Sequence, residues 1–234
     1  MAKTFDTWTV LPHQPIEKLA DNLWRVQGTM PNGKNQRQMV VARMRDGRLV
    51  VHNAIALGDD EMKQLEAWGT PSLLFVPNGF HRQDAAIWKQ RYPQMKVAAP
   101  AGARKRVAQV VPVDVVSEDA PRDDTVRLIP LDGLPGESVL EVRSGGEVSL
   151  TFCDAILNMP RLRGPLGIAL APTGRVSAPR LIRWFGIKDK AKFAAQIDQL
   201  AATTGLRRVL FGHGAPIIDD PAGALRSVAA QLRA

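Results

Sequence analysis

Residues 72–84 read Ser72-Leu73-Leu74-Phe75-Val76-Pro77-Asn78-Gly79-Phe80-His81-Arg82-Gln83-Asp84. The unbroken apolar run up to Pro77 has the pattern of a strand buried on both faces. A polar loop with a single histidine follows. Asp84, a helix-capping residue type, then opens a segment that carries Ala85, Trp88 and Tyr92 on one side and stops at Pro93. Strand, polar loop and helix make one α/β unit. In such units ligand sites gather beyond the carboxyl ends of the strands, which here is where His81 and Asp84 fall.

The same grammar extends in both directions. Upstream, Leu23 to Gln27 alternates with period two, and Met39–Met44 and Arg48–His52 flank Arg45-Asp46-Gly47, a hairpin signal. A helix is expected over about 59–68, with Met62 and Leu65 on one face. Downstream come a short strand at Lys96–Ala99 and a basic helix over about 102–109. Strands are expected at 126–130, 138–142 and 148–152, the last two joined at Gly145-Gly146. Residues 160–186, rich in Pro, Gly and Arg, read as mostly irregular with a short helix near 179–185. An amphipathic helix over 189–203, a strand at 208–211 and a helix over 221–232 close the chain. Both halves supply strands and helices, so the expected class is α/β of the α+β type. The arrangement is a four-layer αββα sandwich, with two mixed β-sheets flanked by helices in a single domain over 1–234.

The chain has 234 residues, 45% hydrophobic and 23% charged, which excludes wholesale disorder, collagen and coiled coil. No run of about 18 apolar residues is present, so no spanning segment and no membrane partner are expected. The opening Met1-Ala2-Lys3-Thr4-Phe5-Asp6 lacks an apolar signal core. Cys153 is the sole cysteine, which rules out an intrachain disulfide and a thiolate zinc cluster and suggests a cytoplasmic protein.

The net charge is +8 and there are four histidines, His13, His52, His81 and His213, so imidazole chemistry has a short list to draw on. Three of them sit at strand ends: His52 after 48–51, His81 after 72–77, and His213 inside Phe211-Gly212-His213-Gly214. Asp154 follows strand 148–152 and precedes Ala155-Ile156-Leu157, an apolar setting in which a carboxylate needs partners. Asp84 at a helix start has capping as its ordinary role. The glycines beside His213 let the backbone turn sharply and present the ring.

The succession of hairpin, helix, His-loop, Pro-Gly, Asp and Gly-His-Gly resembles the metallo-β-lactamase fold superfamily from about residue 21 to 218, in a branch with eroded metal motifs. That family's first motif is His-x-His-x-Asp-His. Here His81 is similar in place to its second His and Asp84 to its last, with Gly79 and Gln83 in place of two other ligands. The family's Gly-His-Thr-Pro-Gly-Ser is matched by Asp132-Gly133-Leu134-Pro135-Gly136-Glu137-Ser138, with Gly133 where the histidine would stand. Cys153-Asp154-Ala155-Ile156-Leu157 resembles the bridging-aspartate motif, and Gly212-His213-Gly214 the final one.

The resemblance implies a reduced site for one divalent cation (zinc, iron or manganese) held by Asp84, Asp154 and His213, with His81 or His52 as a further donor. Asp84 and Asp154 are then the candidates to orient or deprotonate water. Arg161, Arg163, Arg180 and Arg183 follow the aspartate motif, a region that often shapes the substrate pocket in the family. They suggest an anionic small-molecule ester or phosphoester as substrate. The rival reading is a non-catalytic member that binds an anionic ligand or nucleic acid through a basic cleft.

Overall fold

The computed structural model describes residues 4–31, 33 and 36–233. Its strands are β1 (Glu17–Ala20), β2 (Leu23–Thr29), β3 (Gln36–Arg43), β4 (Arg48–His52), β5 (Thr70–Phe75), β6 (Lys96–Ala99), β7 (Val115–Val116), β8 (Val126–Pro130), β9 (Ser138–Ser144), β10 (Glu147–Thr151) and β11 (Leu206–Leu210). Strands β1 to β7 form one sheet in sequence order, antiparallel as far as β4 and parallel from β4 to β7. The second sheet runs β11-β10-β9-β8, with β11 parallel to β10 and the other pairs antiparallel. Both sheets are therefore mixed, as expected.

Period-two alternation places the layers. In the first sheet Met39, Val41, Leu49, Val51, Leu74 and Val97 face outward, onto Met62 and Leu65 of α1 (Asp59–Trp68), Trp88 of α2 (Ala85–Arg91) and Val107 of α3 (Arg104–Val107). Their neighbours Val40, Ala42, Val50, Leu73, Phe75 and Ala98 face the other way and meet Val126, Leu128, Leu140, Val142 and Leu210 of the second sheet. The outer face of that sheet, with Val139, Val148, Leu150 and Val209, packs on the last two helices. These are α5 (Lys190–Ala201) and α6 (Pro221–Arg233), which supply Phe193, Ile197, Leu225 and Val228. Three apolar layers thus separate helix, sheet, sheet and helix. Leu73 and Leu74 lie in different layers, which is why the 72–77 run is apolar throughout.

The local expectations hold with shifted edges. Gly47 turns the β3–β4 hairpin at φ 84°. The basic helix is shorter than the expected 102–109: a 3₁₀ turn at Ala101–Ala103 leads into α3. Within 160–186 the structure adds α4 (Gly164–Ala169), with proline in its first turn, and a single wide turn at Ile182–Gly186. No helix among the described residues is long and apolar enough to cross a membrane.

Candidate metal centre

β4, β5 and β6 run parallel, as do β10 and β11, so the loops leaving β5, β10 and β11 emerge at sheet ends. The sheets are tied together there. The Gln38 N–H donates to the Gly212 carbonyl at 3.0 Å, and the Gln38 side-chain amide donates to the Gly214 carbonyl. His81 comes from the loop after β5, Asp154 from the loop after β10 and His213 from the loop after β11. One ligand atom from each lies within 4.8 Å of the others, the only such set of three or more His, Cys, Asp or Glu among the described residues.

Hydrogen bonds fix the two rings. Asn53, at φ 53° in the left-handed region that asparagine tolerates better than most residues, donates its amide to the Gln38 carbonyl at 2.6 Å. Its Oδ1 is thereby turned to His81 Nδ1 at 2.9 Å, so Nδ1 carries the hydrogen. His213 Nδ1 lies 2.6 Å from the Gln36 carbonyl and likewise donates. Both Nε2 atoms then present lone pairs when the rings are neutral. They face each other at 3.2 Å, with Asp154 Oδ2 3.1 Å from His81 Nε2 and Asp154 Oδ1 3.7 Å from His213 Nε2. Two lone pairs and a carboxylate converging on one point require a positive charge between them, either a proton or a metal cation. Two imidazoles and a carboxylate are a donor set that suits zinc, iron or manganese.

Titration reflects the same geometry. Burial favours neutral His81, but the Asp154 charge and hydrogen bond prevail and raise its pKa. Burial also disfavours the Asp154 anion, yet His81 outweighs it and holds the carboxyl well below the usual range. His213 is lowered, by burial and by the charge of His81.

Two residues beneath the cluster were not singled out by the sequence. The Asn78 side-chain oxygen Oδ1 accepts from the N–H groups of Phe80 and His81 at 2.8 and 3.2 Å. Its amide donates to Asp154 at 2.9 Å and to Glu137 at 3.3 Å. Glu137 accepts from the backbone N–H groups of Cys153, Asp154 and Ala155 at 2.8, 2.9 and 3.0 Å, which holds the aspartate loop in place. Burial and the Asp154 charge push its pKa up to about 7 against those amides. The one local hint was Pro135-Gly136 just before it. Cys153 beside them is fully buried, and burial raises its thiol well above the usual value.

Other expected site residues are placed elsewhere. Asp84 stands at the start of α2 without capping it through its side chain. Its oxygens take the guanidinium of Arg37 and the N–H of Ala56 in a fully buried ion pair, outside the ligand cluster. His52 is buried against Phe75, ring centroids 5.4 Å apart, and is likewise outside the cluster. Arg183 donates to the Gln231 carbonyl on α6, and Arg180 donates to the Ile168 carbonyl and lies 5.5 Å from the Trp184 ring centroid. Arg161 and Arg163 are exposed. Gly133, where the family resemblance puts a histidine, has φ 73°, and a Cβ there would lie 2.1 Å from the Asp189 carbonyl oxygen. The packing of α5 leaves no room for a side chain at that position.

No protein-family model matches the chain, and no curated protein matches it in sequence. Solved structures do. The crystal structure of VMB-1 at pH 5.5 superposes with TM-score 0.62 at 13% identity, covering 97% of this chain and 100% of that one. The DIM-1 metallo-β-lactamase exposed to ceftazidime gives TM-score 0.62 at 13% identity over 95% and 99%. A metallo-β-lactamase from Erythrobacter litoralis, with β-mercaptoethanol in its active site, gives 0.60 at 15% over 92% and 96%. With two mixed sheets packed face to face between helices and a His-Asp-His cluster at their shared edge, the chain has the metallo-β-lactamase fold.

Proposed function

We propose that this chain holds one divalent cation on His81, Asp154 and His213 and hydrolyses a small anionic ester or phosphoester. The observation that carries this reading is the pair of Nε2 atoms facing each other at 3.2 Å, each ring locked by an Nδ1 hydrogen bond, with Asp154 beside both. A proton on the pair satisfies the same geometry, so metal uptake, and not the geometry alone, decides between proton and cation. When bound, the metal supplies Lewis acidity to a substrate oxygen and to water. Asn78 and Glu137 keep Asp154 in position, through its side chain and its backbone respectively. Three protein donors leave room for water and substrate, the arrangement of a catalytic rather than a structural site. The neighbours named as metallo-β-lactamases support a hydrolytic reading through the shared fold.

The test is elemental analysis of untagged protein purified without chelator. About one zinc, iron or manganese per chain is expected, lost in His213→Ala and Asp154→Ala and kept in His13→Ala. Less than about 0.2 per chain, with no uptake on adding any of the three metals, overturns the metal site. Turnover of 4-nitrophenyl acetate or bis(4-nitrophenyl) phosphate should follow metal content across these preparations; a rate indifferent to metal overturns the hydrolytic half.

A further inference from the structure

Beside the cluster lies a groove of about 190 Å³ whose lining includes Asn78 and Glu137, the residues that hold Asp154. Its apolar lining includes Phe80, Leu134 and Ile182, and its cation is Arg106. None of the sequence motifs points to Arg106, which sits on the short basic helix α3.

Three features make Arg106 a built element and not a stray surface charge. Its guanidinium carbon lies 3.9 Å from the Phe80 ring centroid, so one face rests on an aromatic while the N–H edge stays available. Its stem crosses Gly79, where a Cβ would come within 2.6 Å of Arg106 Cδ, so the glycine lets the arginine lie flat. Its backbone is anchored by the largely buried Arg82, which donates to the Arg106 carbonyl and to Gln109 at 2.9 Å. Among the described residues it joins no ion pair. A guanidinium pinned over a ring, without an acid partner, at an apolar groove is a receptor for an anionic group attached to an apolar body.

We infer that the groove binds a small amphiphilic anion, its charged group on Arg106 and its apolar part against Phe80, Leu134 and Ile182. The volume, well below the roughly 300–1,000 Å³ of drug-sized pockets, limits the enclosed part to about one or two rings or a short chain. This rests on the reading of the adjacent cluster as a hydrolytic site and names what that site accepts. It is tested on metal-free protein so that the two can fail separately.

The probes are 2-naphthoate and 2-naphthamide, alike in apolar body and different by one charge, titrated into the chelator-treated chain and followed by ligand fluorescence. The wild type should prefer naphthoate by about tenfold, the worth of one charge-assisted hydrogen-bonded contact. Arg106→Gln should abolish the preference and leave naphthamide affinity unchanged. Phe80→Ala, at a position 56% exposed and so harmless to folding, should weaken both about fivefold. The double variant Trp184→Ala/Phe185→Ala removes the exposed aromatics on the same turn as Ile182 and should leave both affinities intact.

A preference that survives Arg106→Gln places the anion elsewhere, on the histidine pair for instance, and overturns the inference. So does binding lost with Trp184 and Phe185, or no binding by the wild type. A chain that takes up no metal yet keeps the Arg106-dependent preference overturns the hydrolase reading and leaves the groove assignment standing.

Discussion

The His52 imidazole is fully buried on the face of β4 that looks toward the second sheet, and neither ring nitrogen has a hydrogen-bond partner. Burial, helped by the charge of His81, lowers its pKa from 6.5 to about 3. The folded state therefore keeps this ring neutral while the unfolded chain protonates it. Its contribution to stability is full above about pH 6.5 and drains away as pH falls toward 3. Between pH 7 and 5 this amounts to about 2 kcal/mol. His52→Leu should remove that increment, so urea unfolding at the two pH values should differ less in the variant; an unchanged difference would mean the ring is solvated. Asp84 illustrates how far one residue's role lies from its local sequence. As a residue before an amphipathic stretch it reads as a cap or a ligand, but its carboxylate belongs to Arg37, on a strand far upstream. Asp84→Asn should leave metal content intact and cost about 3 kcal/mol or more, because it strands a buried guanidinium. Loss of metal without loss of stability would return Asp84 to the ligand set. Glu137 was illegible for the same reason: its three amide donors come from a different strand end.

Elements were more legible than residues, because periodicity and turn chemistry are local. The 72–77 run, the Asp46-Gly47 hairpin and the α5 and α6 faces all appear where the pattern puts them, within a few residues. The two-residue β7 and the four-residue β1 did not show, since neither has a buried residue, unlike the equally short but mostly buried β6, and each is made a strand by its neighbour. The connection leaving β11 shows how an element end builds the site. Gly214 has φ 95°, and a Cβ there would meet the Asn158 carbonyl oxygen at 2.1 Å. Gly212 is close-packed too, though less severely, its added Cβ falling 2.8 Å from Cys153 Sγ, so the loops after β10 and β11 press together beside Asp154 and His213. Gly214→Ala should thus cost about 1–2 kcal/mol in backbone strain, plus whatever the clash adds. It should also weaken metal binding by moving His213, measured as a lower melting temperature together with reduced zinc stoichiometry. A variant that melts lower but binds zinc as before would separate the loop's packing from its role in the site.

At the scale of the whole molecule, the three residues proposed to hold the cation do not come from one sheet. His81 rides on the first sheet's loop, whereas Asp154 and His213 ride on loops of the second. The four-layer order was readable because each half of the chain brings its own strands and helices. The side-chain contacts of the arginines were not readable: Arg180 and Arg183 donate to the Ile168 and Gln231 carbonyls, and Arg106, on the first sheet's helix layer, lines the groove beside Asn78 and Glu137. A cation held as proposed would bind only when both sheets are docked, so its binding free energy would add to the stability of the sandwich. At free zinc about one hundred times the dissociation constant the gain is about 2.7 kcal/mol. For a chain of 234 residues that should raise the melting temperature by about 5–10 °C. Chelator should reverse the shift, and His213→Ala and His81→Ala, which remove a ligand from opposite sheets, should each abolish it. If His81→Ala keeps the full shift, zinc is held by the second sheet alone and the cross-sheet site is wrong; if His213→Ala keeps it, His213 is not a ligand.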